Sequence, residues 1–257
     1  MMTKAYCKVS IAPLRTNPSD PSEIVTQLLF GELVEILELN STWAKVKIEN
    51  DQYIGYIDSK QIVQITEEQS KSQFSNSFFL KDRERTIQTS MGIQRICRAS
   101  FVPVENGEFI LGKDRYHFID NPSTLKPTLL ELAHDYINTP YLWGGKTPFG
   151  IDCSGFTQVL FQLYGFQLPR DASQQVKIGQ TIDFNAAIEN DLAFFENSKG
   201  NVTHVGILNG KGEIYHASGH LKLEKISRDG IIKKGDNKIS HRLCCVKRIL
   251  KMNILRV

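Results

Sequence analysis

Short apolar segments dominate the first 65 residues of the chain. Five segments of four to nine residues are rich in Val, Ile, Leu and aromatic residues, and turn-forming sequences such as NPSDPS and NST separate them. Five close-set strands with no helix between them predict a small β-barrel over residues 1–65. The segments are KVSIAPLRT, EIVTQLLF, LVEILELN, WAKVKIE and YIGYID.

The middle of the chain, residues 66–123, has a weaker pattern. Residues 66–82 are mostly polar and are interpreted as a linker or exposed connection, whereas residues 92–120 return to strand-like segments separated by NGE and KD turns. These strands predict either a second, divergent barrel or an extension of the first barrel, and the pattern does not decide between the two.

The pattern changes again over residues 124–257. Apolar residues at helical spacing from Leu125 to Ile137 predict a first helix, with Pro127 near its start and Pro140 after its end, and a second helix is predicted from Ser154 to Leu163, before Gly165. Alternating segments such as DLAFFE, THVGILN and EIYHAS then predict antiparallel strands. Helices followed by strands make this an α+β domain.

Composition and charge exclude several classes of function. Lys and Arg number 31 against 28 Asp and Glu, and this net charge of +3 is too small to argue for nucleic-acid binding. No apolar run approaches the roughly 20 residues of a membrane span. The first residues lack the apolar core of a signal peptide, so a cytoplasmic protein is expected. The five cysteines are irregularly spaced, which favours reduced thiols over a disulfide framework.

One of these thiols, Cys153, lies where a helix is predicted to begin. Asp152 before it is a favourable N-cap residue, and a helix N-terminus stabilises a thiolate. Gly150 and Gly155 would leave room for a substrate beside the sulfur. Because a neighbouring negative charge raises a thiol pKa, Asp152 must have another function or point away. The alternative interpretation is that Cys153 is only a small buried apolar residue.

Two histidines supply a candidate base and its orienting partner. His204 and His216 lie on strands that flank NGKG, a hairpin turn signal. A three-residue loop would pair Leu208 with Gly212 and place His204 directly opposite His216, whereas a two-residue loop would turn one histidine to the other face. The pattern therefore predicts two imidazoles in contact, one as base and one holding its tautomer.

The other histidines and a metal site are weaker candidates for a functional role. His220 could line the rim of a site, and the remaining histidines show no partner pattern. A zinc site built from Cys153, His204 and His216 is allowed by ligand type, but no fourth ligand is evident, so no metal or other cofactor is expected. The histidines taken as structural or surface residues are His117, His134 and His241.

Six motifs in order resemble the NlpC-type peptidases, papain-like cysteine endopeptidases of bacterial peptidoglycan. They are YLWGG, GIDCSGF, LPRDASQQ, DLAFF, THVGIL and YHAS. The resemblance implies a papain-like domain over residues 124–257, with helices packed on an antiparallel sheet. It also places the nucleophile, the base and the third polar residue of the family on Cys153, His204 and His216.

The N-terminal segments PLRTNPS, GELVEILE, WAKVKI and GYID resemble a bacterial Src-homology-3-like barrel. One or two such barrels before the catalytic domain are similar to the recycling γ-D-glutamyl-L-diamino acid endopeptidases, which act on muropeptides with a free N-terminal L-Ala. This resemblance implies that Asp152 and Ser154 bind the substrate amine and that Tyr141 lies beside the cleft. In the barrel, the candidates for amine recognition are Glu23 and Tyr56, with Glu32 as the rival of Glu23.

The expected substrate is therefore a small peptide, and the sequence does not determine the oligomeric state or the preferred diamino acid. Two other functions stay open. The site could belong to a wall-remodelling hydrolase, or to an amidase or acyltransferase acting on another amide. The chain could also be a non-catalytic module that binds cell wall, although the complete set of catalytic residue types argues against this.

Overall fold

A computed structural model describes residues 3–235 and 237–249. The chain divides into two compact units, Met1–Leu125 and Lys126–Val257. The first and last residues of the predicted domains, 1–2 and 250–257, lie outside the described residues.

The first part of the N-terminal unit is a seven-stranded antiparallel sheet in the order β3-β2-β6-β5-β4-β1-β7. A core of small and aliphatic side chains, including Leu14, Val46 and Ile57, fills its interior. The strands are β1 (Thr3–Cys7), β2 (Ile11–Arg15), β3 (Ile24–Leu29), β4 (Leu33–Leu39), β5 (Trp43–Ile48), β6 (Ile54–Asp58) and β7 (Ile62–Ile65), with a short 3-10 turn at Ser59–Gln61.

The segment KVSIAPLRT is not one strand, as the sequence pattern predicted. The chain bends at Val9 and Ser10, between β1 and β2. The bend is required because β1 pairs with β4 and β7, whereas β2 pairs with β3 and β6. Apolar alternation continues through the bend, so the pattern does not reveal the change of partners.

The interpretation of residues 66–82 as an exposed connection is wrong over its first half. These residues form helix α1 (Glu67–Phe74), which begins with a capping box between Thr66 and Gln69. Phe74 is buried and stacks against Phe101, so the helix belongs to the hydrophobic core of the unit. The helix was missed because few of its residues are apolar, but T-x-x-Q is a helix-start signal.

The rest of the unit consists of a four-stranded antiparallel sheet in the order β10-β9-β13-β12 and a two-stranded sheet of β8 and β11. Its aromatic core includes Tyr116 and Phe118 and is continuous with Tyr6 and Phe30 of the first sheet. No linker therefore separates the two parts of this unit. The strands are β8 (Phe78–Phe79), β9 (Glu84–Thr89), β10 (Gly92–Cys97), β11 (Phe101–Val102), β12 (Glu108–Leu111) and β13 (Asp114–Phe118).

The C-terminal unit has helices beside a seven-stranded sheet in the order β16-β22-β17-β18-β19-β20-β21, with β21 also paired to β22. The helices are α2 (Leu129–Asp135), α3 (Cys153–Gln162) and α4 (Ala172–Gln175). The strands are β14 (Lys146–Thr147), β15 (Gly150–Ile151), β16 (Gln180–Ile182), β17 (Leu192–Glu196), β18 (Val202–Leu208), β19 (Glu213–Ser218), β20 (His220–Ser227), β21 (Gly230–Ile232) and β22 (Ile239–Arg248), with a 3-10 turn at Phe184–Ala186.

Helix α2 is shorter than the sequence predicted. It begins after Thr128, which forms a capping box with Glu131, and Leu125 is 77% exposed outside it. Pro127 directly precedes the cap and disfavours helical backbone at Lys126, so the helix does not extend back to Leu125. Among the described residues, no helix is long and apolar enough to span a membrane.

Candidate active site

Helix α3 places Cys153 at its first position. Asp152 caps the helix, because its carboxylate accepts a hydrogen bond from the backbone N–H of Gly155 at 2.7 Å. Every residue of the helix is buried, including the polar residues Thr157, Gln158 and Gln162. The predicted start of the helix is therefore confirmed, and the thiol lies at its N-terminal end.

Asp152 also has a charged partner that sequence reasoning did not identify. The Arg170 guanidinium donates to both oxygens of Asp152, at 2.6 and 3.0 Å, and to the Ser154 hydroxyl at 2.9 Å. Arg170 is only 1% exposed. The carboxylate also accepts from the backbone N–H of Gly144 at 2.9 Å. Asp152 therefore fixes the N-terminus of α3, and its direct contact with a substrate amine stays a prediction.

Arg170 and Gln175 give the motif LPRDASQQ a structural role. Gln175, at the end of α4, donates to the carbonyl of Ser154 at 3.0 Å and accepts from the Thr157 hydroxyl at 2.7 Å. Both contacts are buried. The motif therefore holds the first turn of α3, through Arg170 on the cap residue Asp152 and Gln175 on the carbonyl of Ser154.

The glycines beside the nucleophile serve packing rather than substrate access. A Cβ on Gly155 would lie 2.2 Å from the carbonyl oxygen of Gly145, and one on Gly150 would lie 2.9 Å from the side chain of Leu142. The YLWGG segment thus packs directly against the residues around Cys153, so the expectation that these glycines leave room for substrate is wrong.

Burial raises the pKa of the Cys153 thiol to about 12, and the negative charge of Asp152 adds to this effect. Hydrogen bonds from the backbone N–H groups of Val205 and Ser154, together with the charge of Arg170, act in the opposite direction. The helix N-terminus thus acts in the expected direction, but desolvation is the larger effect and the pKa is raised. In the absence of substrate the group is a thiol, and it requires a base.

The candidate base and its partner are in contact, but not through the predicted register. Strands β18 and β19 pair Leu208 with Ile214, which shifts the predicted pairing by two residues. A shift of two keeps the same face of the strands, so His204 and His216 become diagonal neighbours. The Nε2 atom of His204 lies 3.0 Å from Nδ1 of His216. The predicted contact between the two imidazoles is present.

The hydrogen-bonded chain continues to Glu224 on β20. The Nε2 atom of His216 lies 2.9 Å from an oxygen of Glu224, and both side chains are buried. Glu224 was not identified from the sequence, since strand β20 carries no motif. Burial lowers the pKa of His204 well below 6.5 and that of His216 to about 4, so both rings are neutral at pH 7.

His241 on β22 is also part of this cluster. Its ring stacks on that of His204, with 4.3 Å between ring centroids and an angle of 26° between planes. It therefore limits rotation of the His204 ring. The interpretation of His241 as a structural or surface residue is incomplete, and its position could not be read from the sequence because β22 is distant along the chain.

The three histidines His204, His216 and His241 offer nitrogen atoms within 4.8 Å of one another, so they could hold a metal ion by ligand type. However, the nitrogens that join His204 and His216 face each other at 3.0 Å. These two nitrogens share a hydrogen bond, so they cannot both bind one ion in this arrangement. The geometry is that of a hydrogen-bonded chain.

Tyr141 lies close enough to Cys153 for the two groups to interact. Burial raises the pKa of the Tyr141 hydroxyl to about 12, and the neighbouring Cys153 and Asp152 contribute in the same direction. Its backbone N–H donates to the carbonyl of Gly219 at 2.9 Å, which fixes the start of the YLWGG segment.

Of the barrel candidates, Tyr56 lies on β6 and Glu23 directly precedes β3. Tyr56 on β6 pairs with Arg15 on β2, and the carbonyl of Glu23 accepts from the N–H of Thr16, the next residue along. Glu23 is exposed and Tyr56 is half-buried. The rival Glu32 is buried and accepts from the N–H of Leu29 at 2.7 Å within its own turn, which favours Glu23.

Comparison with known proteins agrees with both units. Residues 138–238 match the NlpC/P60 family, and residues 14–62 match the bacterial dipeptidyl-peptidase Sh3 domain. The papain-like catalytic domain and the Src-homology-3-like barrel predicted from the sequence are thus confirmed as classes of domain. Residues 138–238 form an NlpC/P60 domain, which makes the protein a cysteine peptidase.

Curated relatives include a gamma-D-glutamyl-L-lysine dipeptidyl-peptidase of Bacillus subtilis, 28% identical over 219 residues, which cover 76% of this chain and 72% of that protein. The probable endopeptidase NlpC of Escherichia coli is 40% identical over 95 residues, 36% of this chain and 62% of that protein. The crystal structure of an NlpC/P60 family protein from Bacillus cereus has a TM-score of 0.78 at 20% identity and covers 96% of this chain and 99% of its own, which shows the shared fold.

Proposed function

We propose that the protein hydrolyses the γ-D-glutamyl–L-diamino acid bond of peptidoglycan-derived peptides whose N-terminal L-Ala is free. The observation that carries the proposal is the buried His204–His216 pair next to Val205, whose backbone N–H donates to the helix-capped thiol of Cys153. It is supported by the two gamma-D-glutamyl-L-lysine dipeptidyl-peptidases of Bacillus species, 28% and 26% identical over most of this chain.

The reaction proceeds by acyl transfer through a thioester. The Cys153 sulfur attacks the γ-glutamyl carbonyl while His204 accepts the thiol proton. The backbone N–H of Cys153, with the Tyr141 hydroxyl beside it, stabilises the oxyanion. His204 then returns the proton to the leaving amine as the C–N bond breaks, and finally activates water to hydrolyse the thioester. The roles of Cys153 and His204 are assigned from the position of the thiol at the capped helix N-terminus and from the hydrogen bond between His204 and His216.

Concerted proton transfer suits the protonation states of this site. The raised thiol pKa and the lowered pKa of His204 both favour the uncharged pair before substrate binds. The thiolate then forms only as the sulfur attacks, and His204 becomes an imidazolium at the same step. Because the surroundings of His204 are buried, any group that stabilises this positive charge contributes to the rate.

Selection for a free amine is proposed to depend on Glu23 and Tyr56 in the barrel and on Asp152 and Ser154 beside the nucleophile. A charge-assisted hydrogen bond to an ammonium group contributes roughly 1.5–3 kcal/mol. Acetylation of the amine removes the charge and leaves its polar partners unsatisfied, which increases discrimination. Intact peptidoglycan, whose L-Ala nitrogen is acylated, is then a poor substrate.

The test compares hydrolysis of free L-Ala-γ-D-Glu-L-Lys, its N-acetyl form and whole sacculi, followed by product mass. We expect cleavage of the free peptide and little of the other two, with Cys153→Ala as the inactive control. Similar rates on all three substrates would contradict the free-amine requirement and favour a wall-remodelling hydrolase. Absence of cleavage of every γ-glutamyl peptide would favour an amidase or acyltransferase acting on another amide.

A further inference from the structure

We propose that Glu224 is a positioning residue that sets the tautomers of both histidines, so that the proton-accepting nitrogen of His204 is Nδ1. The inference rests on the proposed peptidase function. Glu224 lies on β20, two residues beyond Lys222, which is the direct partner of His216 in the β19–β20 pair. This register places Glu224 on the same face as His216.

The carboxylate of Glu224 is in its ionised form. Burial alone would raise its pKa, but the hydrogen bond with His216, the backbone N–H of Lys234 and the charge of Lys222 together lower it. The ammonium of Lys222 lies 3.4 Å from the same oxygen that faces His216. An ionised carboxylate has no proton to donate, so it only accepts hydrogen bonds.

Because the Glu224 carboxylate only accepts hydrogen bonds, it determines which ring nitrogens of His216 and His204 carry protons. The Nε2 atom of His216, 2.9 Å from Glu224, must carry the proton of their hydrogen bond. Since His216 is neutral, its Nδ1 atom carries a lone pair and accepts from Nε2 of His204, 3.0 Å away. Because His204 is also neutral and holds its proton on Nε2, its Nδ1 atom is left unprotonated.

The same chain stabilises the charge that forms during the reaction. When Nδ1 of His204 takes the thiol proton, the imidazolium keeps its hydrogen bond to His216, which remains bonded to the carboxylate. The other groups that face His216 are Lys222 and His241, and both disfavour a positive charge there. Glu224 is therefore the anionic group that offsets them.

Kinetics of Glu224→Gln test the proposal against the matched variant Glu213→Gln. Glu213 lies on the same sheet and accepts from the side-chain amide of Asn209 at 2.8 Å, so its substitution also removes a carboxylate. We expect Glu224→Gln to lower kcat by about 10- to 100-fold with little change in KM, and Glu213→Gln to leave both unchanged. Because Glu224 raises the pKa of His216, its loss also moves the acid limb of kcat/KM to lower pH.

A second measurement does not depend on activity. Nitrogen-15 NMR of labelled imidazoles in the Cys153→Ala protein distinguishes protonated from unprotonated ring nitrogens. At neutral pH we expect the proton on Nε2 of both His204 and His216, and a change of this pattern in the Cys153→Ala/Glu224→Gln protein.

The outcomes separate this proposal from the peptidase function. A proton on Nδ1 of His216 in the Cys153→Ala protein overturns the role of Glu224 even if no Glu224 variant folds. If Glu224→Gln keeps the wild-type kcat and the acid limb of its kcat/KM profile does not move, the role of Glu224 is overturned and the peptidase function stands. An equal loss of kcat in Glu213→Gln and Glu224→Gln overturns the role of Glu224 in the same way. Failure to cleave γ-glutamyl peptides would instead remove the proposed function, and the NMR pattern would still decide the tautomers.

Discussion

The carboxylate of Asp152 and the guanidinium of Arg170 form a two-point ion pair, at 2.6 and 3.0 Å, directly before the nucleophile. Both side chains are buried, so removal of either one would leave the charge of the other without a partner and poorly solvated. Since Asp152 also caps α3, the pair connects the segment before α4 to the N-terminus of the catalytic helix. Stability of the fold and placement of Cys153 therefore depend on the same contact.

Arg170→Met is expected to lower the free energy of unfolding by about 3–5 kcal/mol, because it leaves a buried carboxylate without its charged partner. The measurement is urea unfolding followed by circular dichroism. The control is Arg242→Met, whose side chain is 76% exposed at 3.5 Å from Glu196 and which should cost less than about 1 kcal/mol. The double variant Asp152→Asn/Arg170→Met should recover part of the loss. Equal losses of unfolding free energy in Arg170→Met and Arg242→Met would show that the buried ion pair contributes no more to stability than the exposed one.

Cys153→Ala should abolish peptidase activity, with a loss of at least about 100-fold, because it removes the sulfur on which the thioester forms. Cys153→Ser should be nearly as inactive, since a hydroxyl is much less acidic than a thiol. Initial rates on a γ-glutamyl peptide provide the measurement, and unfolding curves close to the wild type show that the fold is retained. Activity of the alanine variant above about a hundredth of wild type would exclude covalent catalysis by this residue.

His204→Gln should reduce kcat more than His216→Gln, because the first residue moves protons and the second orients it. The expected losses are about 10²- to 10⁴-fold for the base and about 10- to 100-fold for its partner. Steady-state kinetics at a pH above 7 measure both. Equal losses, or activity that requires added zinc and disappears with a chelator, would contradict the assigned roles.

Stability should fall as the pH is lowered from about 6.5 towards 4. Burial lowers the pKa of His216 from 6.5 to about 4, so the unfolded chain binds a proton in this interval that the folded chain does not. Stability is then fully present above pH 6.5 and is lost as the pH falls, by about 2 kcal/mol at pH 5. Urea unfolding at pH 7.5 and pH 5 measures the difference. His216→Gln should make the dependence shallower, and an unchanged slope would show that His216 is not its source.

Local sequence determined the parts of the site that depend on neighbouring residues. Asp152 caps the helix that begins at Cys153, because capping is a contact within one turn. The faces of His204 and His216 also followed from sequence, since the side-chain period of a strand is two residues and an error of two residues in register leaves the face unchanged. The family motifs identified the class of domain at both ends of the chain.

Tertiary structure alone decided which distant groups complete the site. Arg170, Glu224 and His241 reach the catalytic residues from three other segments, and no local pattern in those segments indicates a partner. The burial of Cys153 also depends on tertiary packing, and this burial raises the pKa of the thiol where the sequence had predicted a lowered pKa. These properties depend on desolvation and on contacts between residues far apart in the chain, which exist only after the strands and helices have packed together.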